Sequence, residues 1–214
     1  MIECPSVAKR VVRQHYDLVT PFYWLLWGRH IHHGLWDGQE SPAQAQQQLT
    51  DTLVREAGIR GGEAVLDVGC GMGGSAIHLA RNLGCRVQGI TLSPLQRFWA
   101  SSAARWNRVA SSTHFRCVDA EQVDFSPESF DVVWSIECTE HLYDKERFFQ
   151  RAAAWLRPGG RMAICAWLAG EALEDQQQVP GPRRMRRFFL PLAGYVQRLS
   201  PVDDRGWTDC RSRP

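Results

Sequence analysis

Short apolar runs alternate with amphipathic stretches between residues 63 and 168. EAVLDVG, CRVQGITL, THFRCVDA, FDVVWSIEC and RMAICAWL are apolar blocks too short for helices, and they read as five strands. The fourth is apolar enough to be buried on both faces, as strands inside a parallel sheet are. Helix patterns lie between them. GSAIHLARNLG stops at Gly84, and SPLQRFWASSAARWNRVA opens on Ser-Pro. DKERFFQRAAAWLRPGG carries Phe148, Phe149, Ala152 and Leu156 on one stripe, and Pro158-Gly159-Gly160 ends it. Strand and helix in alternation predict an open α/β fold, a parallel sheet covered by helices with a ligand at the carboxyl ends of its strands.

The pattern before residue 63 is helical. AKRVVRQHYDLV has apolar residues at helical spacing. SPAQAQQQLTDTLVREAG opens with serine as N-cap and proline in the first turn, and it stops at Gly58. One domain is expected, with a helical lid segment over 1–60, a ligand-binding core over 61–170 and an incomplete segment over 171–214. In that last part LEDQQQVPGPRRMRRFF reads as a loop with a basic patch, PLAGYVQRLS as a further helix and GWTDCRSR as the start of a strand.

Composition narrows the class. A chain of 214 residues with 44% hydrophobic content can bury one good core. A formal charge of +2 argues against a general nucleic-acid partner. Lysine occurs only at 9 and 145, so the basic side chains are almost all arginine. Seven scattered cysteines include no C-x-x-C pair and no zinc spacing. They read as reduced thiols of a cytoplasmic protein. The first residues lack the apolar core of a signal peptide, and PFYWLLWG is too short to span a bilayer.

Chemistry concentrates in VLDVGCGMGGSAIHLA. Gly69, Gly71 and Gly74 match G-x-G-x-x-G at a strand-to-helix junction, where the backbone must turn and let a ligand approach. Two ligands share that need, a dinucleotide and S-adenosylmethionine (SAM). Asp67 separates them. A pyrophosphate seeks N–H groups at a helix start and is poorly served by a carboxylate two residues before the first glycine, whereas SAM brings an ammonium and a sulfonium. An NAD site also wants an acid about 20 residues on, to hold the ribose. GITLSPLQ offers only the neutral Thr91 and Gln96. SAM is therefore favoured, with an NAD-dependent oxidoreductase second.

The run from Val65 to Gln96, DAEQVDFSPESFDVVWSIECTEHLYDKERFF and LRPGGRMAI together resemble the class I SAM-dependent methyltransferases. Within them the γ-tocopherol methyltransferase-like group of small-molecule enzymes is the most similar branch, and HYDLVTPFYWLLWGRHIHHGLWDG is similar to that group's leading helical segment. The resemblance covers residues 12–170 and rests on the motifs in combination. It implies a Rossmann-like sheet with helices on both faces, an N-terminal helical lid, SAM as cofactor and a small, partly apolar methyl acceptor. It also implies roles. Asp67, Gly69, Cys70, Gly71 and Gly73 would line the methionine and ribose end. Thr91, Leu92 and Gln96 would hold the ribose, and Asp119, Ala120 and Glu121 would face the adenine. Ile136 and Glu137 would sit near the methyl donor, and Tyr16 would close over the cofactor from the lid. The family's sheet continues past a fifth strand, and this chain is expected to stop where the sixth would begin, with its C-terminal strands truncated.

Displacement at an activated methyl needs orientation above all, worth about 7–11 kcal/mol, while a general base adds about 10²–10⁴-fold. His141 is the candidate base, or else a histidine that caps its turn, and Glu140 could orient His141 or the acceptor. Glu137 could equally bond to the lid. A SAM-binding chain without catalysis is a third possible function. His30 and His33 could share a helical face, but no acid or cysteine completes a metal set, and no metal is expected. Phe22, Tyr23, Trp24, Trp27 and Trp36 either wall an acceptor pocket or pack on the sheet. Arg183, Arg184, Arg186 and Arg187 beside Phe188 and Phe189 read as a solvated loop before a membrane contact.

Overall fold

The structure is a computed structural model. It describes residues 7–167 in full and the backbone of 186–191. Two helices come first, α1 (Lys9–Leu26) and α2 (Pro42–Glu56). Ser41 caps α2 through a reciprocal capping box with Gln44, which fixes that helix start where Ser-Pro placed it. The core follows as β1 (Ala64–Val68), α3 (Gly74–Leu83), β2 (Arg86–Thr91), α4 (Pro94–Trp106), β3 (Thr113–Cys117), β4 (Phe130–Ile136), α5 (Lys145–Trp155) and β5 (Leu156–Ala166). A short 3-10 turn, Thr139–His141, follows β4.

The sheet runs in the order β3-β2-β1-β4-β5, all parallel, and a sixth strand, β6 (Arg186–Pro191), adds antiparallel to β5. Chain direction across the sheet reverses at β1, so the carboxyl ends of β1 and β4 splay their connections apart. That is the switch point where open α/β sheets bind ligands. Alternate strand residues feed two cores. Val65, Val132 and Trp134 face α2, α3 and α4 through Leu49, Leu79 and Ala100. Leu66, Val68 and Val133 face α5 through Phe148, Ala152 and Trp155. The α/β class, the five parallel strands and helices on both faces match the expectation.

Three details differ from it. First, α5 ends at Trp155, and Leu156 already pairs with Phe130 as the first residue of β5. Pro158 disfavours helix at the residue before it, and Gly159 at φ +78° lets the strand bulge where its register on β4 shifts. Second, the backbone of 186–191, inside the stretch expected to be a loop, is strand β6; the chain was expected to stop short of a sixth strand, yet this one pairs with β5 and covers its edge. The expected further helix beyond Pro191, the last expected strand, and Arg183 and Arg184 lie outside the described residues. Third, His30 and His33 sit on no helix, because residues 28–40 between α1 and α2 form bends and irregular chain.

Among the described residues no helix is long and apolar enough to cross a membrane. Cys70, Cys85, Cys117 and Cys138 are free thiols, two of them buried.

Candidate cofactor and active site

At the carboxyl ends of β1, β2 and β4 lies a cavity of about 330 Å³, roofed by α1 and by residues 29–33. Asp67, Gly69, Cys70, Gly71, Thr91, Leu92, Gln96, Ile136, Glu137, Glu140, His141 and Tyr16 all line it. Gly73, Asp119, Ala120 and Glu121 do not. Gly73 is the N-cap of α3 at φ +83°, where a Cβ would stand 3.0 Å from that of Ala100.

The glycine turn is tight for a visible reason. A Cβ on Gly69, at φ +76°, would fall 2.3 Å from Cys138 Sγ. The Gly69 and Cys70 N–H groups both donate to the Ile90 carbonyl, at 2.9 and 3.0 Å, and tie the turn to β2. A Cβ on Gly74 would collide with the Arg29 carbonyl and the His30 ring, both at 2.7 Å. The turn is therefore packed between Cys138 on one side and the roof segment on the other.

Asp67 is the electrostatic centre. It is 2% exposed, and its Oδ2 has no hydrogen-bond partner. Burial pushes its pKa up to about 7, with a single backbone bond from Ala76 pulling the other way. A buried carboxylate oxygen that opens onto a cavity with no cation beside it calls for a cationic ligand or a proton. The ammonium end of SAM supplies such a cation, and Gly69, Cys70 and Gly71 line the cavity alongside Asp67. The residues present fit that cofactor.

The β2 end is neutral. Thr91 Oγ1 donates to Gln96 Oε1 at 2.7 Å, and Ser93 Oγ donates to Asp17 Oδ1 of α1 at 2.5 Å. Asp119 and Glu121, at the β3 end, hold the Lys9 ammonium of α1, at 2.5 Å from Asp119 Oδ1 and in direct contact with Glu121 Oε2. That pair, beside the backbone N–H groups of Tyr143 and Asp144, keeps the Glu121 carboxyl below its usual range despite partial burial.

The roof is clasped to β4. Glu137 stands at φ +51°, an uncommon conformation for a residue with a side chain, and its carboxylate accepts from the His33 backbone N–H at 3.1 Å and from His33 Nδ1 at 2.9 Å. Behind it His32 Nδ1 donates to the His33 carbonyl at 2.7 Å, and its Nε2 meets His30 Nδ1 at 3.0 Å. A carbonyl only accepts, so neutral His32 carries its proton on Nδ1 and His30 donates to it. Burial holds His30 neutral, with its pKa lowered to about 3. Gln46 of α2 donates to the His30 and His32 carbonyls. The three histidines thus serve the roof, and no metal-type cluster occurs among the described residues.

Tyr16 and His141 face each other, with Oη 3.0 Å from Nε2. Burial lifts the Tyr16 pKa to about 12, so the phenol keeps its proton. Burial also lowers His141, which leaves it neutral near pH 7. Glu140 accepts from the Trp167 N–H at 2.5 Å through Oε1, and its Oε2 is buried without a partner. Of Phe22, Tyr23, Trp24, Trp27 and Trp36, only Tyr23 lines the cavity. Phe22, Trp24, Trp27 and Trp36 are 40–60% exposed, so packing on the sheet does not describe them.

Sequence reasoning did not find Lys9, Asp17, Ser93 or Cys138 at this site. Ser93 was visible as a helix cap, but the contacts of Lys9 with residues 119 and 121 join positions more than a hundred apart and leave no local signal.

Comparison with known proteins agrees with this geometry. The family model described as mycolic acid cyclopropane synthetase matches residues 5–189. The chloroplastic tocopherol O-methyltransferase of Arabidopsis thaliana is 33% identical over 202 residues, which cover 86% of this chain and 58% of the relative. The sterol 24-C-methyltransferase of Saccharomyces cerevisiae is 33% identical, over 88% of this chain and 49% of the relative. Among solved structures, the [4+2]-cyclase SpnF superposes with a TM-score of 0.71 at 32% identity, over 76% of this chain and 61% of the other. The chain belongs to the class I SAM-dependent methyltransferases, in the group that joins the cyclopropane synthetase, tocopherol and sterol enzymes. It spans about half the length of the curated relatives it matches.

Proposed function

We propose that this protein moves a methyl group from SAM to a small, partly apolar acceptor. The observation that carries the proposal is the buried, unpartnered Oδ2 of Asp67 at the floor of the cavity. Asp67 and the Gly69–Gly71 turn would receive the amino-acid end, Thr91 and Gln96 the ribose, and Asp119 to Glu121 the adenine once Lys9 yields. SAM supplies a methyl already activated by its sulfonium, which an acceptor nucleophile displaces in line.

The protein's own residues then have three tasks. Ile31, Leu92, Val12 and Tyr23 exclude water from the cavity. The Glu137–His33 clasp holds the roof in place. With the Nε2–H of neutral His141 donated to Tyr16 Oη, its Nδ1 accepts a proton from the acceptor, and Tyr16 fixes the ring that does so. The compounds for which the relatives are named, tocopherol and a sterol, are in keeping with an apolar acceptor. The partly apolar wall supports the same choice.

A second reading is a SAM-holding protein that passes no methyl on. The 32% identity to a protein named for a cyclisation favours it. Calorimetric titration of the chain with SAM, with NADH as control, followed by mass spectrometry of apolar phenols and isoprenoid alcohols offered with SAM, separates the readings. SAM heat with a gain of one methyl mass supports transfer. SAM heat with no methylated product across the set supports the second reading, and absence of SAM heat from folded protein removes both.

A further inference from the structure

Next to the cofactor cavity, sharing Arg29, His30, Met72 and Gly74 with it, lies a second concavity of about 580 Å³. It lies between the end of α1 and the outer faces of α3 and α4. Three indoles meet there. Trp24 comes from α1, Trp99 from the middle of α4 and Trp106 from its last position. Trp24 and Trp99 lie 5.2 Å apart between ring centroids, and Trp106 is 87% exposed. Large exposed rings gathered around one hollow mark a binding surface more often than a bare one.

The charge there is one-sided. Arg29 and Arg81 line the hollow, and no aspartate or glutamate does. Arg29 has no hydrogen bond or ion pair from its guanidinium among the described residues, and Arg81 makes one bond, to Asn107 Oδ1 at 3.2 Å. Asp51, which accepts from the lining residue His78 through its Nε2 at 3.0 Å, is not itself part of the lining. Arginine beside indole stacks on flat rings and forks onto carboxylates. We propose that this hollow is a second small-molecule site, and that it takes a planar aromatic anion whose ring lies against Trp99 and Trp106 and whose charge faces Arg29 and Arg81.

The site has a direct route to the first. Arg29 and Met72 line both cavities, and the Arg29 carbonyl lies against Gly74 at the start of α3. An anion that holds Arg29 from behind also holds the roof segment closed over the glycine turn. Occupancy of the second site therefore tightens SAM, and by linkage SAM tightens the anion to the same degree. This coupling rests on the SAM reading above; binding of the anion itself does not.

The test is calorimetry of the whole chain with 2-naphthoate as probe and 2-naphthalenemethanol as its neutral counterpart. The expected result is one class of saturable sites for the naphthoate, at least about tenfold weaker binding of the alcohol, and a loss of about tenfold in Trp106→Ala and in Arg81→Gln. Both side chains are exposed and distant from the cofactor cavity, so unchanged SAM binding in the variants shows that they are folded. No saturable heat, equal binding in Trp106→Ala, or displacement of the naphthoate by SAM overturns the proposal. So does a dimer in sedimentation that Trp106→Ala dissolves, since the hollow is then covered by a second copy. If SAM shows no heat but naphthoate still binds and loses affinity in the variants, the second site stands and the SAM reading alone fails.

Discussion

Asp67 shows what one buried carboxylate can report. With a folded pKa near 7 against an ordinary 3.8, the native chain holds this proton over a range in which the unfolded chain has released it. Stability from this group is complete below pH 4, falls as pH rises to 7 and is constant above. Asp67→Asn removes that slope. In the ligand-free protein, the stability difference between variant and parent is expected to move by up to about 4 kcal/mol in the variant's favour between pH 4 and 8, measured by urea melts. SAM affinity moves the other way. The parent binds more tightly as pH rises through 7, because the carboxylate must be charged to meet an ammonium, and the variant binds about 10–100-fold more weakly with a flat profile. His141 has the complementary signature. Its pKa lies below the ordinary 6.5, so as a base it is already available at neutral pH, and the methyl-transfer rate falls only on the acid side. His141→Gln should lower kcat by about 10²–10⁴-fold and erase that acid limb while leaving SAM binding within about twofold. A variant with an unchanged limb would assign the proton transfer elsewhere.

At the scale of elements, the parts with local causes were legible and the parts with distant causes were not. Ser41 and Ser93 announced two helix starts through side-chain caps, and the glycine turn announced the β1–α3 junction, because each depends on residues within a few positions. The β5 start at Leu156 was misread, since a helix stripe and a strand share that leucine and only its pairing with Phe130 decides. Of the site, the β1, β2 and β4 ends were legible as motifs. The roof was not, because its bonds join His33 to Glu137 and Lys9 to Asp119 across the fold. That last contact makes a prediction for α1. The Lys9 ammonium occupies both Asp119 oxygens, at 2.5 and 2.7 Å, the same acceptors an adenine amine would seek. Lys9→Met should therefore speed SAM association several-fold in stopped-flow measurements, with little change in melting temperature, because partly exposed ion pairs contribute about 0–1 kcal/mol. Slower association would instead make Lys9 a latch that closes over bound cofactor.

For the molecule as a whole, the sheet with its two apolar layers is one cooperative unit, and the roof is attached to it mainly by polar contacts. Val65, Leu66, Val132, Val133 and Trp134 are fully buried, while α1 keeps Leu18, Phe22, Leu25 and Leu26 at 60–76% exposure. Such a helix opens at far less cost than the strands. A ligand in the first cavity touches both parts at once, since β1, β2 and β4 form its floor and Tyr16, Tyr23 and residues 29–33 its roof. SAM at a hundredfold excess over its Kd should add about 2.7 kcal/mol and raise the melting temperature by about 5–11 °C for a chain of this size. The distribution of that gain is the sharper test. Amide exchange in α1 and residues 28–33 should slow on SAM binding down to the rate of the strands, and the β1 and β4 amides should change only by the global increment. At the same SAM concentration Asp67→Asn should cut the gain to about 0.4–1.4 kcal/mol and shrink the protection of α1 in proportion. Protection that rises evenly over the whole chain, or that spares α1, would mean that the cofactor is held by the sheet alone and that the roof takes no part in the closed state.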